Sequence, residues 1–154
     1  MRAFLTLVLA VTLALVMPAR CAAGKGSLKI ADLPAAVRKT VLQQKQQAKI
    51  TQLEKTSLGG EEAYEVQFTH GASRRTVFIA GTGTVLQVKE NISLSKVSPA
   101  ARKAIESSVG NGTIVTLEAV KSASGLIAAY EVKFRKNGTQ SELRISPDGR
   151  LAPE

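Results

Sequence analysis

The chain has 154 residues, 44% of them hydrophobic, and it carries 21 Lys and Arg side chains against 12 Asp and Glu, a formal net charge of +9. That length is enough to bury one compact core or two small fused ones. The single cysteine excludes an internal disulfide. Aromatic residues make up only 4% of the chain, which leaves little material for stacking on nucleic-acid bases, so no nucleic-acid partner is expected.

The N-terminus has the pattern of a signal peptide. Arg2 precedes an uncharged and mostly apolar run from Phe4 to Met17, which is too short for the roughly 30 Å hydrocarbon core of a membrane. Small residues follow, and we expect cleavage after Ala23. The predicted signal peptide therefore covers residues 1–23, and the mature chain is expected to be periplasmic or extracellular, without a transmembrane helix.

Cys21 lies close to the predicted cleavage site, and cleavage after Cys21 or Ala22 stays open as an alternative. Lipidation of Cys21 would need a small residue before it, whereas Arg20 stands there. Cleavage after Ala23 leaves 19 basic and 12 acidic residues, a net charge of +7. An exported basic protein suits acidic proteins or anionic polymers as partners, although a merely solvated surface has the same composition.

Two nearly identical hexapeptides lie 66 positions apart: AYEVQF begins at Ala63 and AYEVKF at Ala129. The similarity extends well beyond them, because LPAAVRKTV from Leu33 resembles VSPAARKAI from Val97. We interpret this as a tandem duplication. The two predicted repeats cover residues 28–90 and 92–152.

Each copy begins with apolar residues at every fourth position, such as Leu33, Val37 and Val41, a spacing typical of an amphipathic helix. Short segments rich in β-branched residues follow, separated by turn signals such as Asn137-Gly138 and Asp148-Gly149. The predicted fold class is α+β: two tandem repeats, each one N-terminal helix followed by an antiparallel meander of about four strands, with the helices on one side of the sheet. The last strand is expected to be cut short by Pro153.

Alternation along the first hexapeptide predicts which side chains meet the helix. Tyr64, Val66 and Phe68 should lie on the face beneath the helix. Ala63, Glu65 and Gln67 should lie on the opposite face and meet solvent or a partner.

The repeated pattern resembles a known family. A helix that opens with LPAAV, then a sheet with YEV.F that closes on a glycine turn, twice and behind a signal peptide, resembles the PepSY-like group. That group is related to the PepSY domain of thermolysin-type metallopeptidase propeptides and to the tandem-repeat β-lactamase inhibitors. The resemblance covers about Leu28 to Leu151. It implies an exported, non-enzymatic module that binds a secreted or periplasmic enzyme such as a peptidase, and inhibits or regulates it.

The residues offer little for catalysis. His70 is the only histidine and lies in a predicted turn, and no GxSxG or phosphate-binding glycine motif is present. Glu65 and Glu131 occupy equivalent strand positions, where pairing with nearby Lys or Arg is a simpler reading than a catalytic acid pair. We expect no enzyme activity, no cofactor and no metal.

Basic residues on the hairpins form the candidate binding site. If the copies lie side by side, they would form a basic band on the exposed sheet face. The leading partner is a secreted or envelope protein. The alternative is an anionic cell-envelope component bound through this basic face. The candidate residues are Arg74, Arg75, Lys133, Arg135, Lys136 and Arg144.

Overall fold

The computed structural model describes residues 28–152, so the predicted signal peptide lies outside the described residues. Two α-helices and seven β-strands make up this part of the chain, with short 3₁₀ turns at Ile30–Asp32 and Leu94–Lys96. In chain order they are α1 (Ala35–Lys45), β1 (Lys49–Leu58), β2 (Glu61–His70), β3 (Ser73–Ala80), β4 (Val85–Asn91), α2 (Pro99–Val109), β5 (Thr113–Ser122), β6 (Ile127–Lys136) and β7 (Thr139–Ile145).

The predicted architecture of two repeats with about four strands each is wrong. All seven strands form one antiparallel sheet in the order β1 to β7. The two halves join where β4 pairs with β5, from Gln87 opposite Ser122 to Asn91 opposite Glu118. A free β4 edge would leave a row of backbone groups unpaired, and this pairing satisfies them. After β7, where a further strand was expected, Leu151 makes only an isolated bridge to Ile145.

Both helices pack on the same face of the sheet. Val37 and Val41 of α1 lie in one buried cluster with Val66 and Phe68 of β2, which confirms the predicted alternation. In a second cluster, α2 packs over β5, β6 and β7, again through alternate residues. The register runs across the sheet from Phe68 through β3 and β4 to Ala119, a member of the second cluster. Since paired residues share a face, the two cores lie side by side.

The two helices begin differently. Ser98 precedes α2 and caps it, because its side chain accepts a hydrogen bond from the Ala101 amide at 3.4 Å. Pro99 follows at the first helical position, where a missing N–H costs nothing. Asp32 does not cap α1, which begins after Pro34 without a side-chain cap. Asp32 accepts a hydrogen bond from the Lys29 amide at 2.9 Å in the preceding 3₁₀ turn.

Glycine turns hold the helices against the sheet. Gly83 follows β3 with φ +88°, and its carbonyl accepts a 2.6 Å hydrogen bond from the Thr40 hydroxyl of α1. The turn after β7 is equivalent, because the Ser98 hydroxyl donates to the Pro147 carbonyl, also at 2.6 Å. Gly149 in that turn has φ +87°. Each helix is therefore fastened near its N-terminal half by a turn at the same end of the sheet.

A charged residue stabilises the second of these turns. Asp148 accepts hydrogen bonds from the Ser146 hydroxyl and from the Arg150 side chain. These hydrogen bonds lower the pKa of Asp148 to about 2, and the hydrogen bond from Ser146 has the largest effect. The carboxylate thus stays ionised in the folded protein to unusually low pH.

Candidate partner-binding surface

The face of the sheet opposite the helices, hereafter the open face, is formed by alternate strand residues. One row across its centre runs from Thr76 to Lys89, Val120 and Ala129, on four successive strands. Because the described helices pack on the other face, no helix within residues 28–152 covers this row. Within the described residues, the open face is therefore a surface of the sheet that is available to a partner.

The centre of the open face is more apolar than the alternation predicts. Ala63, Phe78, Val120 and Ala129 are buried there, although none belongs to the two clusters beneath the helices. Ala63 was expected to meet solvent or a partner. Cross-strand neighbours lie only about 5 Å apart, so longer side chains such as Lys89, directly opposite Val120, shield shorter ones. The open face thus has an apolar floor beneath charged side chains.

Three charged residues of the open face, hereafter the open-face ion cluster, contact one another above this floor. Lys89 Nζ lies 2.7 Å from Glu131 Oε2, and Arg144 Nη1 lies 2.7 Å from Glu131 Oε1. Glu131 is only 9% exposed, and Lys89 Nζ also lies 5.7 Å from the centre of the Phe78 ring. These contacts confirm that Glu131 pairs with neighbouring cations. Both carboxylate oxygens are used, so the three side chains hold one another in fixed positions.

A depression of about 500 Å³ borders the open-face ion cluster. Glu142, Leu151 and Ala152 line it together with the three cluster residues and Leu143. Leu151 is 76% exposed, so an apolar side chain stands beside fixed charges at its rim. Fixed charges next to exposed apolar surface are features of protein-binding sites, where charge supplies specificity and apolar contact supplies affinity.

The structure does not place the six predicted basic residues on one face. By register, Arg74, Lys133, Arg135 and Arg144 lie on the open face. Arg144 is paired with Glu131 at 2.7 Å, and Lys133 lies 3.6 Å from Glu142. Much of the positive charge predicted for the second half is therefore balanced by neighbouring acids.

The other two predicted residues, Arg75 and Lys136, lie on the helix side of the sheet. Arg75 Nη2 donates to the Gln44 carbonyl in the last turn of α1 at 2.5 Å. Lys136 Nζ comes close to Gly110, the residue that caps the end of α2. A cation at a helix C-terminus is favourable because the exposed carbonyls carry partial negative charge. Both residues therefore lie at the C-terminal end of a helix, where each has a structural role.

Among residues 28–152, no group of three or more His, Cys, Asp or Glu residues could hold a metal ion. His70 is exposed at the end of β2. Within the same part of the chain, no helix is long and apolar enough to cross a membrane.

The sequence reasoning missed Lys89 and Phe78. Lys89 lies within β4, in a segment with no repeated motif, and Phe78 lies among apolar residues that read as core. The available signal was alternation: in the strand that contains TVFIA, Val77 and Ile79 face the helix, so Phe78 must face the other way.

Comparisons with known proteins extend only to the fold. No protein-family model matches the chain, and no curated protein is similar to it in sequence. Several solved structures are similar in fold.

A protein from Bacteroides eggerthii described as periplasmic has a TM-score of 0.62 and 12% identity, over 79% of this chain and 86% of that one. A DUF2874 family protein from Bacteroides ovatus has a TM-score of 0.59 and 18% identity, over 79% and 85%. A BLIP-like protein from Bacteroides fragilis has a TM-score of 0.57 and 17% identity, over 83% and 86%. The chain therefore shares its fold with these DUF2874 family and BLIP-like proteins.

Proposed function

We propose that the chain is an exported, non-enzymatic binding module that binds a secreted or periplasmic protein through the open face of its sheet. The observation that carries the proposal is the open face itself. Its apolar floor and its fixed open-face ion cluster lie on a side that no described helix covers.

The energetics of the open-face ion cluster support a binding role. Taking charged groups out of water costs several kcal/mol, and their mutual attraction commonly does no more than offset this. A fixed arrangement of charges does give specificity and faster association with a complementary surface. The open-face ion cluster is therefore better explained by recognition than by stability of the sheet.

We further propose that the partner is an enzyme, such as a peptidase, which the chain inhibits or regulates. The resemblance to PepSY-like propeptide domains suggests this class, and the shared fold with a BLIP-like protein is compatible with it. Export is supported by the predicted signal peptide and by a similar structure described as periplasmic. Mass spectrometry of the mature N-terminus tests export, with cleavage after Ala23 as the expected result.

Affinity capture from the secreted and envelope fractions tests the binding surface. The variant Gln87→Arg adds a large charged side chain to the open face, between Phe78 and Ser122. The matched control Gln43→Arg makes the same exchange on the exposed side of α1. A protein recovered by the native chain and by the control, but not by Gln87→Arg, is the expected result.

Titration of the recovered and purified protein then gives its affinity. We expect Gln87→Arg to weaken binding by about tenfold or more, which corresponds to about 1.4 kcal/mol. If the recovered protein is an enzyme, its activity should fall as the native chain is added. Equal recovery by both variants, or no reproducible recovery at all, would count against the open face as the binding surface.

A further inference from the structure

A second concave site lies on the helix side of the sheet, where the β2–β3 hairpin meets the end of α1. It is a cavity of about 290 Å³. Its wall combines residues from the end of α1 and the following turn with residues from the two hairpin strands. The lining residues are Lys45, Gln46, Gln47, Ala48, Phe68, His70, Ser73, Arg74 and Arg75.

Three of these residues, Lys45, Arg74 and Arg75, carry a permanent positive charge, and none of the described lining residues is acidic. Within residues 28–152, neither Lys45 nor Arg74 forms an ion pair. Glu90, which lies opposite Arg75 in the register, is held by Lys121 at 2.5 Å. Clustered cations in a concave site raise the local positive potential.

Arg75 is already held in position within the cavity. Its Nη2 atom donates to the Gln44 carbonyl at 2.5 Å, and its guanidinium carbon lies 5.4 Å from the centre of the Phe68 ring. This contact offsets the partial negative charge at the end of α1. A guanidinium group has five N–H donors, so others stay available to a ligand. Less side-chain entropy is lost when a donor is fixed before the ligand binds.

His70 and Ser73 complete the set of donors. They lie directly opposite each other at the end of the hairpin, and both are exposed. A hydroxyl and an imidazole N–H can each donate to an oxygen atom. The cavity therefore combines three cations with a hydroxyl and an imidazole, a combination suited to carboxylate or phosphate oxygens.

We infer that this cavity binds an anionic phosphate or carboxylate group, on a free small molecule or on a lipid headgroup, with Arg75 as the fixed donor. Lys45 and Arg74 contribute charge from the two sides of the opening, and His70 and Ser73 contribute hydrogen bonds. The cavity shares no lining residue with the depression beside the open-face ion cluster, although Arg74, one of its lining residues, lies on the open face by register. An anionic envelope partner was expected to bind a basic sheet face. The cavity offers such a partner a different binding site.

Calorimetric titration with inorganic phosphate and with citrate, at constant ionic strength, tests the free-anion form of the inference. The double variant Lys45→Gln with Arg74→Gln removes two exposed cations and leaves the Arg75 contact to α1 in place. The control double variant Arg38→Gln with Lys103→Gln removes the same charges from exposed helix positions outside the cavity. Thermal unfolding of all three proteins by circular dichroism verifies that they are folded.

We expect the Lys45 and Arg74 double variant to weaken binding about tenfold and the control to change it less than about twofold. Sedimentation with vesicles of phosphatidylcholine containing phosphatidylglycerol tests the headgroup form. Loss of vesicle binding in the cavity variant alone would assign a lipid headgroup, and anion binding without vesicle binding would assign a free anion.

Equal weakening by both double variants would overturn the inference, because general surface charge would then account for binding. Absence of binding to phosphate, citrate and vesicles would overturn it as well. Partner capture through the open face has a different readout and different variants, so failure of one proposal leaves the other standing.

Discussion

Replacement of Gly83 by alanine tests how the turns after the strands hold the helices. Gly83 has φ +88°, and a Cβ atom placed there would lie 2.8 Å from the carbonyl oxygen of Ala36 and 2.9 Å from its carbonyl carbon. These atoms belong to the backbone of the first turn of α1. That helix cannot readily move away, because Val37 and Val41 on its inner side are fully buried.

Gly60 provides a matched control. It has φ +86°, and a Cβ atom there would meet nothing within 4 Å. Alanine at either position pays for a positive φ, about 1–2 kcal/mol. Only alanine at Gly83 also forces two packed backbones apart, which costs about 1–3 kcal/mol more. The free energy of unfolding should therefore fall by about 2–5 kcal/mol for Gly83→Ala and by about 1–2 kcal/mol for Gly60→Ala.

Urea unfolding followed by circular dichroism measures both changes, with the midpoint shifting and the slope preserved. Gly149→Ala should behave like Gly83→Ala, since its Cβ atom would lie 2.8 Å from the Ala100 carbonyl oxygen of α2. Equal losses for Gly83→Ala and Gly60→Ala would refute the argument. In that case, the contact between the turn and α1 would add nothing to the cost of placing alanine at a positive φ.

Three further predictions concern the core, the open-face ion cluster and acid stability. Ile105→Ala, at a fully buried position of α2, should lower the free energy of unfolding by about 2–5 kcal/mol. Leu42→Ala, at a position of α1 that is 53% exposed, should change it by less than about 0.5 kcal/mol. Similar losses for the two variants in urea unfolding would contradict the assigned core. Glu131→Gln should cost about 1–3 kcal/mol because Lys89 and Arg144 lose their shared carboxylate, measured in the same way. The stabilisation that Asp148 owes to its lowered pKa is present above the ordinary value of 3.8 and is lost as pH falls towards about 2. The difference in unfolding free energy between the native chain and Asp148→Asn should therefore shrink over this range. A difference that stays constant with pH would exclude the ionised Asp148 carboxylate as the source of the stabilisation.

The sequence predicted several structural elements from local patterns that have a clear physical cause. The four-residue spacing of Leu33, Val37 and Val41 predicted α1; all three residues are buried in one cluster, but Leu33 precedes the first helical residue, Ala35. Alternation in the first hexapeptide correctly placed Tyr64 and Val66 beneath the helix. Such patterns are local, because the period of an element and its buried side are written in neighbouring residues.

The candidate site was harder to predict from the sequence, because it depends on which strands become neighbours. Arg74 and Arg75 are adjacent in sequence but point to opposite faces of β3. Lys89 and Glu131 are 42 positions apart, and their contact requires β5 to lie between their strands. Charge and spacing alone could not predict that this pair forms.

The sequence by itself predicted the two helices, most of the alternation along the strands and a duplication that links the two hexapeptides. Only the tertiary structure decided that β4 pairs with β5, so that the strands of both halves form one sheet. It also decided that Phe78 and the open-face ion cluster share a face, and that Arg75 fastens the end of α1. The physical reason is that secondary structure follows from contacts between nearby residues, whereas strand pairing and ion pairs form between segments that meet only when the whole chain folds.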